Sequence, residues 1–172
     1  MSHKAALFTL LLAVSCGSKP AQPGDFTKFI PVKVGDQIAP ICTKENGGNR
    51  YTLEGMLKLP DSSSISEGKT NLDLYQKLNA EKEGEGPSLQ VQVKTPGDIN
   101  DLWASAEGVK GKGYNTEEGT ISEEALLIHT KDGDAKAGDP LKVTVEIEVI
   151  KNFQTDAVSA CLYKFVEAEK KK

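Results

Sequence analysis

From Arg50 onward apolar and polar positions alternate in short runs, the two-residue period of strands that bury one face and wet the other. Tyr51, Leu53, Leu57 and Leu59 share one face, and Thr52, Glu54, Met56 and Lys58 the other. Gly55 interrupts the apolar face, where a bulge or a close backbone approach would fit. Leu72 and Leu74 alternate with Asp73 and Tyr75, and Leu89, Val91 and Val93 with Gln90, Gln92 and Lys94. The clearest run is Leu141 to Val149, with Lys142, Thr144, Glu146 and Glu148 on its polar face. Residues 125–130 and 161–168 complete the set. The pattern predicts an all-β, five-stranded Greek-key barrel over residues 50–170. Its expected core includes Leu53, Leu57, Leu89, Val91, Val143, Val145, Ile147 and Tyr163. Polar connections run over 60–70 and 97–124, and a short helix is expected at 98–106, between the third and fourth strands.

Upstream of the alternation, residues 25–49 read as a segment that packs through Phe26, Phe29, Ile30, Val32 and Val34. Pro31 and Pro40 keep it from being a long helix or a central strand. Glu45 to Asn49 (ENGGN) is a turn signal, and Glu167–Lys172 reads as a solvated tail.

The first residues follow a different pattern. Lys4 precedes a mainly apolar run from Ala5 to Val14, about half of the ~20 residues a helix needs to cross a bilayer. A basic start, a short apolar stretch and small residues describe a secretory signal peptide over residues 1–15. Ala13-Val14-Ser15-Cys16 resembles the lipobox of bacterial lipoproteins, in which the cysteine is acylated and becomes the new N-terminus. The resemblance implies lipidation (a palmitate-type chain) at Cys16, a membrane held through that lipid, and a cell-envelope location. Gly17 in place of Asp leans to the outer membrane. The alternative is an ordinary signal cut near Ser15 or Ser18. Residues 16–24, with two prolines and two glycines, read as a tether.

Composition narrows the classes. The formal charge of −4 becomes one unit more negative on loss of a leader that holds Lys4 and no acid, so no basic face is offered and no nucleic acid is expected. With 38% hydrophobic and 27% charged residues the chain has the means to fold. Setting Cys16 aside leaves Cys42 and Cys161, and two cysteines in an exported chain suggest one disulfide, the alternative being two buried thiols. A zinc site lacks ligands, since His129 is the one histidine beyond the leader and no C-x-x-C occurs.

GNRYTLEGMLKLP, SLQVQV, HTKDGDAKAGDPLKVTVEIEVI and ACLYKFVEAEK together resemble an OB-fold domain of the kind found in small bacterial envelope lipoproteins, over about residues 49–170. Asp132-Gly133 supplies a turn, Gly138-Asp139-Pro140 starts a strand, and the last strand returns through a cysteine. The resemblance implies an OB-like barrel that binds through its second and third strands and the loops beside them. On that surface Tyr75, Trp103 and Tyr114 are the candidate ligand-binding residues, with Trp103 alternatively capping the open end of the barrel.

Catalytic patterns were sought and are incomplete. Ser66 to Thr70 (SEGKT) ends like a phosphate loop, but Ser63 stands where its first glycine belongs. Gly111-Lys112-Gly113 lacks the third glycine of a dinucleotide fingerprint, and no G-x-S-x-G frames a serine nucleophile. Asp132-x-Asp134 continues to Lys136 where calcium needs a further oxygen. The expectation is a non-enzymatic binding or structural module with no cofactor, no metal and no catalytic residue. Its partner is an unidentified protein or glycan. The competing reading is a hydrolase of envelope polymers that uses loop carboxylates such as Glu117, Glu118, Glu123 and Glu124.

Overall fold

The computed structural model describes residues 19–33, 35–60, 69–76, 88–94, 114–115, 120–121 and 126–171. Within them the protein is all-β, and the only helical pieces are two 3-10 turns, Phe26–Lys28 and Lys44–Asn46. The expected helix at 98–106 lies outside the described residues.

Five long strands carry the fold. They are β2 (Arg50–Lys58), β3 (Lys69–Tyr75), β4 (Ser88–Lys94), β9 (Pro140–Lys151) and β10 (Val158–Lys170). The sheet order is β1-β2-β3-β4-β10-β9, with β1 the short strand Gln22–Pro23, and β9 returns to pair with β2. Each long strand therefore pairs with two other long strands, and β2 with β1 as well. All these long pairings are antiparallel except β4 with β10, where Tyr163 lies opposite Val91. Two-residue strands form two further pairs, β5 (Tyr114–Asn115) with β6 (Thr120–Ile121) and β7 (Leu127–Ile128) with β8 (Ala135–Lys136).

The alternation does what its period requires. Leu53, Leu57, Leu72, Leu74, Val91, Val143 and Val145 are completely buried, and Leu89, Ile147 and Tyr163 nearly so. Gly55 occupies an inward position, and a Cβ built there would lie 2.5 Å from the Tyr75 carbonyl oxygen and 2.8 Å from Leu74 Cδ1. A glycine on the apolar face is thus a packing requirement, because the end of β3 lies close against β2 at that point.

The segment before β2 closes one side. Asp25 accepts hydrogen bonds from the Thr27 amide and hydroxyl, which opens the first 3-10 turn and drives Phe26 and Phe29 inward. Phe29 packs edge-on against Tyr51 and tilted against Tyr163, each at 5.5 Å between ring centres. Ile30 is half-buried, but Val32 is 67% exposed, so the packing face expected from the sequence ends at Pro31; Val34 lies outside the described residues.

Two sequence expectations are corrected. The end of the expected tether is docked: Gln22 and Pro23 run parallel to Tyr51 and Thr52, and the Gly24 amide donates to the Thr52 carbonyl at 2.8 Å. Proline is tolerated there because β1 sits at an edge, and Gly24 has no side chain to strike Leu53 Cδ2. The expected solvated tail is instead the end of β10. Ala168 is buried opposite Val143, Lys170 pairs with Leu141, and Lys131 bridges Glu167 and Glu169 at 3.0 and 2.9 Å. Charged residues on the wet face of a strand resemble a tail when their apolar alternates are a single small alanine.

Candidate functional site

Cys42 and Cys161 form a disulfide with Cα atoms 5.7 Å apart, tying the segment before β2 to the last strand across 119 residues. Cys161 stands opposite Val149, near the end of β9 that runs out into the β9–β10 hairpin. The bridge fastens this end of the sheet, and other contacts brace it. The Gly48 amide donates to the Ile147 carbonyl, and the Ile147 amide donates to that of Asn49.

The hairpin beyond is ordered by its own polar groups. Asn152 Oδ1 accepts from the amides of Gln154 and Thr155, and the Asn152 amide donates to the Ala157 carbonyl. Asp156 takes a left-handed backbone conformation with φ of 53°, which is uncommon outside glycine and asparagine-like residues. Its carboxylate is held by Lys151 at 2.8 Å and by Lys44 at 3.1 Å, and those hydrogen bonds, Lys151's first, keep its pKa below the ordinary value. At the tip of this braced turn Phe153 is 104% exposed, and Ile150 beside it is 40% exposed. A fully solvated aromatic on a turn with this many local constraints buries nothing within the fold. Sequence reasoning passed over it, although an aromatic in a polar linker between two alternating runs, Lys151-Asn152-Phe153-Gln154-Thr155-Asp156, was a readable signal.

A second surface feature lies where the N-terminal segment crosses the end of β3. Phe26, Ile30, Pro31, Val32, Pro40 and Gln76 line a mainly apolar depression of about 500 Å³. Tyr75, next to Gln76, is half-buried opposite Met56 and Ser88, with its hydroxyl 3.5 Å from Asp73 Oδ2. Of the other two candidate aromatics, Trp103 lies outside the described residues and Tyr114 is described only as backbone in β5. The described residues therefore do not bring the three together. Cys16 and the carboxylates Glu117, Glu118, Glu123 and Glu124 also lie outside them.

His129 Nδ1 stands 2.7 Å from Asp134 Oδ1 across the β7–β8 turn, with both side chains partly solvent-exposed. Thr130 and Gly133 (φ 96°) shape that turn, so Asp132 and Asp134 serve a hairpin corner. Among the described residues no three His, Cys, Asp or Glu side chains are grouped to hold a metal ion. Among the described residues Tyr163 is the one group strongly perturbed by burial: its phenol is pushed up to about 12, and its hydroxyl reaches the Phe29 carbonyl at 3.4 Å.

No family model matches the chain, and neither a curated protein nor a solved structure does.

Proposed function

We propose that the chain is a lipid-anchored module of the bacterial cell envelope, acylated at Cys16, whose ring of five strands is an OB-type barrel serving a non-enzymatic binding or structural role. The observation that carries this reading is the Cys42–Cys161 bridge, which fits residues 1–15 read as an export signal, because structural disulfides persist in oxidising compartments outside the cytosol. The strand order supports the OB-type assignment, with β4 parallel to β10 and β9 returning to β2. The binding role is supported by apolar surface at the Phe26–Gln76 depression and at Phe153, while His129 is engaged with Asp134 in a solvent-facing corner. The outer membrane is the proposed site of anchoring, and a protein or glycan the proposed partner.

Metabolic labelling with a fatty-acid probe tests the anchor: wild type takes the label, Cys16→Ala does not, and equal labelling of the two refutes it. Capture of partners from crosslinked envelopes, followed by turnover assays on envelope polymers, tests the role. Tyr75→Ala is expected to weaken capture, and turnover lost on His129→Ala would favour the hydrolase instead.

A further inference from the structure

Two pairings fix where the anchor leaves the domain. β1 is parallel to β2, with Gln22 opposite Tyr51, so the chain upstream of Gln22 leads out past the N-terminal end of β2. Lys19 is already there, its Nζ donating to Asn49 Oδ1 at 2.7 Å. β2 is antiparallel to β9, with Tyr51 opposite Val145, so this same end of the sheet is the one from which β9 runs out to the hairpin. The exit of the anchor and the tip bearing Phe153 therefore lie at one end of the molecule.

The distances match. Between Lys19 and Cys16 the chain spans at most about 10 Å. From Ile147, level with Asn49, to Phe153 in the turn beyond Lys151 the hairpin extends by at most about 20 Å at the rise of a strand. A domain held at Cys16 thus cannot stand off from the bilayer by more than the hairpin can bridge. What the hairpin presents suits an interface. Phe153 and Ile150 are apolar and exposed, and Lys44 and Lys151 flank them with a single carboxylate, Asp156, between the two ammonium groups. Aromatic residues and long cations are the side chains that settle at a headgroup layer.

We propose that the β9–β10 hairpin tip is a membrane contact, with Phe153 inserted among the headgroups of the lipid surface that holds Cys16; this rests on the lipoprotein reading above. The tip gives the domain a second hold and a fixed orientation, with the β7–β8 corner directed away from the bilayer.

The test uses the full acylated chain in vesicles of phosphatidylethanolamine and phosphatidylglycerol, with lipids brominated near the headgroup as quenchers. Phe153→Trp places an indole at the tip, and Asp132→Trp places one at the far corner; the wild-type signal from Trp103, its single tryptophan, is subtracted from both. The indole at 153 is expected to shift to the blue and to be quenched about twofold, as befits a depth of about 5–10 Å, while that at 132 stays water-like. Flotation of the protein with the vesicles reports the anchor separately. Protein that floats with an unquenched indole at 153 overturns the membrane contact, leaves the lipoprotein reading standing and assigns the tip to a protein partner. Wild-type protein that takes no fatty-acid label removes the anchor, and the membrane contact falls with it.

Discussion

Replacing Gly55 with alanine should damage the fold in a way that depends on one contact. The added methyl would lie 2.5 Å from the Tyr75 carbonyl oxygen and 2.8 Å from Leu74 Cδ1, and real Cβ atoms stay at 3.0 Å or beyond. Leu74 can turn aside, but the carbonyl belongs to the backbone of β3, paired through Tyr75 with both Met56 and Ser88. Relief therefore requires a shift of at least about half an ångström in two strand pairings at once. Overpacking of this kind costs about 1–3 kcal/mol, which for a domain of this size lowers the melting temperature by about 3–10 °C. Gly47→Ala is the matched control. Its φ of −56° suits alanine and its nearest neighbours stand at 3.4 Å, so it should be neutral or gain about 0.4–1 kcal/mol. Thermal melts of the oxidised proteins, followed by near- and far-ultraviolet circular dichroism, give the comparison. Melting of Gly55→Ala together with wild type would refute the close approach of β3 to β2 at this residue.

The remaining expectations concern the bridge, the core and alkaline pH. Cys42→Ala/Cys161→Ala should lower stability by up to about 4–5 kcal/mol by the chain-entropy account, read as a fall in the urea midpoint; an unchanged midpoint would mean the thiols do not bridge, as would two reactive thiols in the oxidised wild type. Val145→Asp buries a carboxylate where the side chain is fully enclosed between β2 and β10, so the protein should fail to fold or lose several kcal/mol; a stable variant with an unchanged spectrum would place that face outward. Burial raises the Tyr163 phenol to about 12 from 10.0, so the folded form holds its proton after the unfolded chain has lost it. This contribution is complete below the unfolded value and is lost as pH climbs toward the folded one. The urea midpoint should fall more steeply between about pH 10 and about pH 12 in wild type than in Tyr163→Phe, and equal slopes would contradict it.

Strand placement was legible because the core is one-sided: each buried position announces itself against a polar neighbour. The eight residues expected inside from the alternation are all buried, and the two cysteines left once Cys16 is set aside form the expected bridge. Docking of Gln22–Gly24 was not legible, since it depends on main-chain bonding to β2 and on the missing Cβ of Gly24. The extent of β10 was hidden for a related reason: Glu167, Glu169 and Lys170 owe their place to backbone pairing with β9. Phe153 shows the reverse difficulty. Composition marks it as a core residue, and only the turn that Asn152 and Asp156 impose puts it in water.

The ring of pairings also sets an order of events in time. β2 needs β9, some ninety residues later, and β4 needs β10, about seventy residues later. A polypeptide emerging vectorially, from a ribosome or through a translocation channel, can form the β2–β3–β4 meander early but holds an open edge on each side of it until β9 and β10 have emerged. Closure is thus a late and non-local step, slow by the measure of contact order. Before it, those edges and an unpaired Cys42 await their partners, and disruption of the end of β10 should be felt in folding yield before it is felt in the stability of whatever does fold.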